Sequence, residues 1–229
     1  MTGVQTCALP ILSAIEKRRS VRVYRTTPIE METREKIDEF INSVNEESGL
    51  CFKMVYDEPT AFTSPISYGK IVNVRNYVVV IGVKGKDFEC GYYGEKIVIF
   101  LQTLGLNTCW AGISYKKSKV KNLVQKGKKL YLLIAVGYGK HLGNPRKSKT
   151  AQEVSSYDIT PPSWFLEGVR LALLAPTAVN QQKFHFKLLS EREVLLTRKV
   201  GFYSKMDAGI VKYHFEVATP KEVTITHKI

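Results

Sequence analysis

No stretch of this chain is apolar for long. Its longest apolar runs, residues 130–136 and 78–83, fall far short of the roughly 20 residues that a helix needs to cross a bilayer. Cysteine is scarce and scattered: Cys7, Cys51, Cys90 and Cys109 form no C-x-x-C pair. That spacing excludes a zinc ribbon and a disulfide framework, and suits unpaired thiols in a reducing cytoplasm. No P-loop, H-E-x-x-H or G-x-S-x-G pattern is present. Residues 137–143 (Gly-Tyr-Gly-Lys-His-Leu-Gly) have the wrong spacing for a G-x-G-x-x-G dinucleotide loop, and no amphipathic helix comes after them.

Acidic residues are also outnumbered, 21 against 34 lysines and arginines, for a formal charge of +13 across 229 residues. Such a surface attracts anions, whether a nucleotide cofactor, a nucleic acid or an acidic membrane. With 44% apolar and 24% charged residues, the composition is that of a packed protein rather than a disordered one. Residues 1–12 lack a basic n-region, and Pro10 breaks their short apolar piece, so they make a poor signal peptide. Their composition departs from that of the rest of the chain, and they read as an extraneous or disordered leader outside the fold.

Structure is expected from Ser13, where Ser13-Ala14-Ile15-Glu16 forms a capping-box pattern. A helix after Pro28 carries Ile37, Phe40, Ile41 and Val44 at i, i+3, i+4 and i+7. Residues 52–56 and 77–83 read as strands, 58–67 as a loop, 92–104 as a helix closed by Gly105, and 130–136 as a buried strand. A basic linker spans 143–150. Beyond it come a helix over 164–174, a strand over 184–189, a helix over 207–217 that Asp207 could cap, and a β-rich tail over 222–227. Mixed helices and strands indicate an α+β or α/β sheet with helices packed on it.

The succession of proline, amphipathic helix, loop and strand occurs twice. At an offset of 134, Pro28 meets Pro162, Ile37 meets Leu171, Phe40 meets Leu174, and residues 52–57 meet 186–191. At an offset of 115, Gly94 meets Gly209 ahead of a helix. Two related half-units, 13–150 and 151–229, would account for this, and so would the general likeness of helix–strand units.

Three segments could carry chemistry. Arg18-Arg19-Ser20-Val21-Arg22 can aim guanidinium forks and a hydroxyl at one phosphate, or can merely complement a helix C-terminus. Thr177, Asn180 and Gln182 offer uncharged donors and acceptors suited to the edge of a heteroaromatic ring, or to an ordinary polar turn. Between Gly105 and Gly112, around Trp110 and Ala111, backbone could approach a flat ligand closely. There Trp110 could equally be a core anchor. His185 and His214 read as structural, and no metal site is expected.

Together these segments resemble the FMN-dependent nitroreductase family, in particular its branch built as a tandem of two half-size units. Arg18, Ser20, Arg22 and Tyr24 match R-x-S-x-R-x-[FY]. Ala175, Pro176, Asn180 and Gln182 match A-P-S-x-x-N-x-Q-P-W, with Thr177 for serine and Lys183-Phe184 for Pro-Trp. Gly105, Leu106, Thr108, Trp110 and Gly112 match G-L-G-T-x-W-x-G, with Asn107 for glycine. The order departs from the family's, because the amide motif comes last. Val44, Glu46 and Ser48 stand where the first half would carry it.

The resemblance implies an α+β fold, a mostly antiparallel sheet flanked by helices, with the half-units forming a pseudo-dimer. It also implies FMN between subunits. Arg18, Arg19, Ser20 and Arg22 would take the phosphate, helped by Arg146, Lys147 or Lys149. Backbone at Trp110, Ala111 and Gly112 would line the ring, and Thr177, Asn180 and Gln182 would meet the ring or ribityl chain. Hydride would pass from NAD(P)H through the flavin to a small organic acceptor such as a nitroaromatic or quinone, with no protein acid or base assigned. A monomer with an internal pseudo-dimer, or a homodimer, is expected, with no membrane partner. One rival is a flavin- or anion-binding relative without turnover. The other is a basic nucleic-acid-binding protein, for which no RNP, zinc-finger or helix-turn-helix signature exists; its lysine runs could be solvated helix faces.

Overall fold

The computed structural model describes residues 5–63, 69–143 and 147–228. In chain order the elements are α1 (Gln5–Lys17), α2 (Met31–Ser48), β1 (Lys53–Val55), β2 (Asn76–Gly82), α3 (Asp87–Thr103), β3 (Asn107–Ala111), β4 (Lys129–Gly137), α4 (Ala151–Val154), β5 (Ser155–Tyr157), α5 (Ser163–Leu174), β6 (Phe184–Ser190), β7 (Glu193–Arg198), α6 (Ser204–Glu216) and β8 (Thr224–Lys228). The fold is α+β. None of the described helices is long and apolar enough to cross a membrane.

Two compact units divide the chain. One contains the described parts of Arg18–Lys86 and Ile97–Pro145; the other contains those of Met1–Lys17, Asp87–Lys96 and Arg146–Ile229. The units therefore do not match the expected division into 13–150 and 151–229. Helix α1 and the first half of α3 join the C-terminal part of the chain instead.

The first unit is built on a four-stranded sheet in the order β1-β2-β4-β3, antiparallel throughout. Strand β2 is buried along its whole length between β1 and β4. This explains why residues 77–81 are apolar at every position rather than at alternate ones. Helix α2 buries Ile37, Ile41 and Val44, and Phe40 stacks on Phe100 at 3.8 Å. The helix stops at Gly49, whose φ of 67° is the left-handed value that glycine adopts without steric cost. Asn45 then sets the entry to β1, donating Nδ2–H to the Phe52 carbonyl at 2.9 Å while its Oδ1 accepts the Phe52 N–H at 2.7 Å.

The second unit carries the sheet β5-β6-β7-β8, in which β6 and β7 are antiparallel while β5 and β8 add in parallel. Helices α5 and α6 bring Phe165 and Phe215 together, and Phe215 stacks on Phe186 of β6 at 4.2 Å. Gly168 leaves room for that ring, since a β-carbon there would lie 2.9 Å from it. The first half of α3 crosses α6 at backbone contact. A β-carbon on Gly91 would lie 2.0 Å from the Met206 carbonyl oxygen, and one on Gly209 would lie 2.0 Å from that of Phe88. This crossing explains why residues 87–96 belong to the second unit.

The structure alters several expectations. Helix α1 begins at Gln5, so Ser13 lies inside the helix rather than capping it, and residues 5–12 are part of a regular element. Asp207 does not cap α6, which starts three residues earlier at Ser204. The segment after Gly105, for which no regular element is expected, forms strand β3, and residues 193–198 form β7, whose alternation is too short to mark it in the sequence. Of the lysines of residues 116–129, Lys117, Lys119 and Lys121 lie on two short 3-10 turns, Lys129 is the first residue of β4, and Lys116, Lys126 and Lys128 lie in the connecting segments, so none is on an α-helical face.

Candidate functional site

The arginine segment belongs to the first unit and runs in extended form after α1. Main-chain bonds hold both of its edges. Val21 N–H donates to the Thr108 carbonyl at 3.1 Å, Tyr24 N–H to Val72 at 3.1 Å, and Val72 N–H to Arg22 at 2.8 Å. On the edge opposite Val72, which Thr108 shares, Arg25 N–H donates to the Tyr138 carbonyl and Lys140 N–H to that of Val23, each at 2.8 Å. Gly143 also comes against it: a β-carbon there would lie 2.5 Å from the Ser20 carbonyl oxygen.

Fixed in this way, the side chains differ in exposure. Arg18 is buried at 1% exposure, Arg19 and Ser20 are half-buried, and Arg22 is exposed. Arg19 folds back, donating from Nη1 to the Arg18 carbonyl at 2.8 Å. No acidic residue occurs between Glu16 and Glu30, so the segment is cationic along its length. Its field reaches Cys109 on β3. Burial pushes that thiol up, and the charges of Arg22 and Arg18 pull against the shift. Burial also raises the Tyr24 phenol well above its ordinary value, with Arg22 opposing.

Beside the segment lies a buried hydroxyl with an unmet hydrogen bond. Thr108, bridged in parallel to Ser20, is 1% exposed, and its Oγ1 has no partner among the described residues. Asn107, which stands where the family motif has glycine, accepts the Gly139 N–H on Oδ1 at 2.9 Å. The substitution thus ties β3 to the turn after β4. Trp110 and Gly112 are half-buried and Ala111 is buried, on the edge strand and just beyond it.

The amide segment belongs to the second unit. Pro176 comes just after the end of α5, and residues 178–180 form a 3-10 turn. Three of its non-glycine residues hold left-handed backbone: Val179 at φ 47°, Asn180 at 54° and Gln182 at 44°. Such positions cost on the order of 1–3 kcal/mol each and persist only where the surroundings over-determine them.

The restraints are visible. Thr177 Oγ1 accepts the Gln182 N–H at 3.1 Å. Asp207 on α6 accepts the Ala178 N–H at 3.0 Å on Oδ1 and the Gln181 side-chain amide at 2.7 Å on Oδ2. Burial drives the Asp207 carboxyl up to about 7, against the opposing hydrogen bonds from Gln181 and Ala178.

The expected ring-facing amides separate into two kinds. Gln182 is 1% exposed and spent internally: Oε1 accepts the Lys149 N–H at 2.8 Å, and Nε2 donates to Ser148 Oγ and the Leu173 carbonyl, each at 3.3 Å. Lys149 in turn donates Nζ to the Gln182 carbonyl at 2.7 Å. Asn180 is exposed, with Nδ2 on the Lys147 carbonyl at 2.7 Å, and Thr177 is half-buried. Arg146 lies outside the described residues. Sequence reasoning missed Asp207 and Gln181 as the residues that shape this loop. A hint was available, because an aspartate beside Ala208 and Gly209 in an apolar helix has an ordinary place only at a cap.

This fold is that of nitroreductase-type oxidoreductases. Residues 10–219 match the family model described as "Putative TM nitroreductase", and the chain belongs to that family. Among solved structures it is similar to a "putative nitroreductase" of Thermotoga maritima, with 22% identity and a TM-score of 0.65 over 91% of this chain and 82% of that one. A nitroreductase family protein of Streptococcus pneumoniae gives 12% identity and a TM-score of 0.51, over 62% and 97%. A nitroreductase-like protein of Streptococcus mutans gives 11% and 0.50, over 62% and 94%. No curated protein matches the chain.

Proposed function

We propose that this protein is an FMN-dependent oxidoreductase that takes reducing equivalents from NADH or NADPH and delivers them to a small organic acceptor, a nitroaromatic or a quinone, in a reducing cytoplasm. The observation that carries this reading is the acid-free segment of Arg18, Arg19, Ser20 and Arg22, pinned on both edges beside the Thr108 hydroxyl, which has no partner among the described residues. A phosphate monoester needs this donor set: guanidinium groups for charge, a hydroxyl for a neutral hydrogen bond, and no carboxylate to compete.

Bound FMN would supply a ring that accepts and donates hydride. The protein's part is to hold and orient. Arg18, being buried, would present a guanidinium in a low-dielectric setting. There a charge-assisted bond to phosphate is stronger than at the surface. Arg22, exposed, would add long-range attraction. Backbone at Trp110, Ala111 and Gly112 would flank the ring. Thr177 and Asn180 would offer it neutral hydrogen bonds, with Gln182, Gln181 and Asp207 behind them as support. No side chain is assigned a proton transfer.

The test is an absorption spectrum of the purified protein with phosphorus and chain concentrations measured together. One FMN per chain, bleached by NADH or NADPH without oxygen, is the expected result. Two per chain would contradict a single flavin site in each chain. No flavin after reconstitution overturns the enzyme reading, and flavin that NAD(P)H never bleaches leaves a binding protein without turnover.

A further inference from the structure

The positive charge of this protein is concentrated in one stretch. Residues 96–152 contain twelve lysines and arginines and no aspartate or glutamate, whereas the rest of the chain holds 22 basic against 21 acidic residues. Seven of the twelve are lysines within residues 116–129, which form a lobe at one end of the antiparallel sheet of the first unit. Strand β3 ends there and β4 begins there, with Lys129 paired to Gly82 at the close of β2. Lys53, at the start of β1, donates Nζ to the Leu123 carbonyl at 2.8 Å and so binds the lobe to the sheet. Lys84 joins from the other side. Its turn is held by Tyr131, whose hydroxyl donates to the Val83 carbonyl at 2.7 Å and accepts the Lys86 N–H at 2.9 Å.

The lobe anchors itself through apolar residues and turns its charge outward. Val120 is fully buried, while Lys84, Lys117, Lys119, Lys121 and Lys126 are exposed. None of those five pairs with an acid among the described residues. Like charges gathered this closely repel one another, a cost that a bound polyanion removes.

What the lobe lacks selects the polyanion. An acidic protein partner would want aromatic or apolar anchors at the centre of its interface, where lysine is depleted. Val83 and Ile113 flank the lobe as exposed apolar side chains, but within residues 116–129 no large apolar side chain is exposed. The centre of the lobe therefore has no apolar side chain to insert below lipid headgroups, which leaves a membrane only the electrostatic attraction that duplex phosphates offer at higher charge density. Single-stranded nucleic acid needs exposed aromatics for stacking, and Tyr115 and Tyr131 are buried; the lobe has no arginine, the side chain that most often reads bases in a groove, and its only exposed amides are Asn122 and Gln125. Contact with a dense array of phosphates needs none of these. Counterion release supplies it, and lysine serves as the point charge.

We propose that the lysine lobe at residues 116–129, with Lys84, binds the phosphate backbone of double-stranded nucleic acid without regard to sequence. The binding is separate from the flavin reading and requires no dedicated nucleic-acid motif. It places the oxidoreductase on a polyanion at low salt and releases it as ionic strength rises.

The experiment is fluorescence anisotropy of a labelled duplex DNA of about 20 base pairs, titrated with the whole protein over a series of salt concentrations. The comparison is with a variant carrying Lys117→Gln, Lys119→Gln, Lys121→Gln and Lys126→Gln. All four are exposed, and circular dichroism and thermal melting verify that the variant folds. The wild type is expected to bind duplexes of unrelated sequence alike. The variant should lose about tenfold or more in affinity near 0.1 M salt, with its log–log salt slope shallower by about 3 to 4. No binding at 50 mM salt overturns the proposal. So does equal loss in a control carrying four glutamines at the scattered exposed positions Lys36, Lys70, Lys205 and Lys221, because binding would then depend on net charge alone. Tighter retention on phosphatidylserine vesicles than on duplex overturns it in favour of a membrane surface.

Discussion

The carboxylate of Asp207 and the side-chain amide of Gln181 meet at 2.7 Å, and through this contact α6 dictates the shape of a loop 26 residues away in sequence. Gln181 Nε2 also donates to the Phe202 carbonyl at 2.7 Å, so one amide ties the 3-10 turn to the start of α6 twice. The carboxylate accepts the Ala178 N–H as well. A single buried acid thus fixes a turn in which three residues sit in left-handed backbone. The loop's polar display is therefore a property of α6 as much as of its own sequence.

The position of Asp207 gives stability a pH dependence with a definite sign. Burial raises its carboxyl from 3.8 to about 7, so between those values the folded state binds a proton that the unfolded chain does not. The contribution is fully present below about 3.8 and is lost as pH rises through about 7. From pH 5 to pH 8 this one group should cost on the order of 2–3 kcal/mol. The check is the urea midpoint at both pH values for wild type and Asp207→Asn. The drop between pH 5 and pH 8 should shrink clearly in the variant; an unchanged drop would refute the assignment.

The two amides of the loop should fail in different ways. Gln182→Ala strips three side-chain hydrogen bonds from a buried position and leaves Lys149 N–H and the Leu173 carbonyl to find new partners. The main-chain N–H bond from residue 182 to Thr177 survives, so a loss of roughly 2–4 kcal/mol is expected. Asn180→Ala removes one exposed bond to Lys147 and should change stability by less than about 1 kcal/mol. Under the flavin reading, Asn180→Ala should nonetheless weaken FMN binding several-fold, measured by quenching of flavin fluorescence. Equal stability losses in the two variants would contradict the division of roles.

Regular elements with strong periodicity were legible in the sequence: α2, β2, β4, α5 and β6 lie where apolar spacing puts them, within a few residues. Short edge elements were not. Strand β3 carries turn-like residues at Asn107 and Thr108 because an edge strand needs only one partner and tolerates them. Helix α1 was misread because Pro10 argues for a boundary by propensity, whereas the helix accommodates it inside. The cationic and amide segments were legible as chemistry, since charge and donor type are local properties. Which amide is exposed was not, because burial of Gln182 depends on residues 148–149 and on the end of α5, thirty-odd positions and nine positions away.

The crossing of α3 and α6 should not admit a single methyl group. In an exposed helix, replacing glycine by alanine stabilises by about 1 kcal/mol. At Gly91 and Gly209 the added carbon would lie 2.0 Å from a main-chain carbonyl oxygen, and backbone cannot swing aside as a flexible side chain can. Overpacking of this kind costs about 1–3 kcal/mol at least, so the sign reverses. Gly91→Ala and Gly209→Ala should each lower the melting temperature by several degrees, and the pair should prevent a cooperative transition. A rise in melting temperature for either single variant would show the helices to be further apart.

Near that crossing, Glu95 of α3 and His214 of α6 are both fully buried, with Oε1 and Nε2 at 2.8 Å. His214 Nδ1 lies 3.1 Å from the Leu171 carbonyl, which can only accept, so that nitrogen carries a hydrogen. At 2.8 Å, Nε2 and the Glu95 carboxyl form a buried hydrogen bond in which each side chain satisfies the other. Removing one partner breaks that balance, while replacing both need not. Glu95→Ala alone, which strands the imidazole, should cost about 3–5 kcal/mol; Glu95→Leu with His214→Phe should cost much less than the sum of its singles. Urea unfolding of the four proteins measures the coupling. Additive losses would mean that the two side chains stabilise the second unit independently, and that their 2.8 Å contact holds no helix in place.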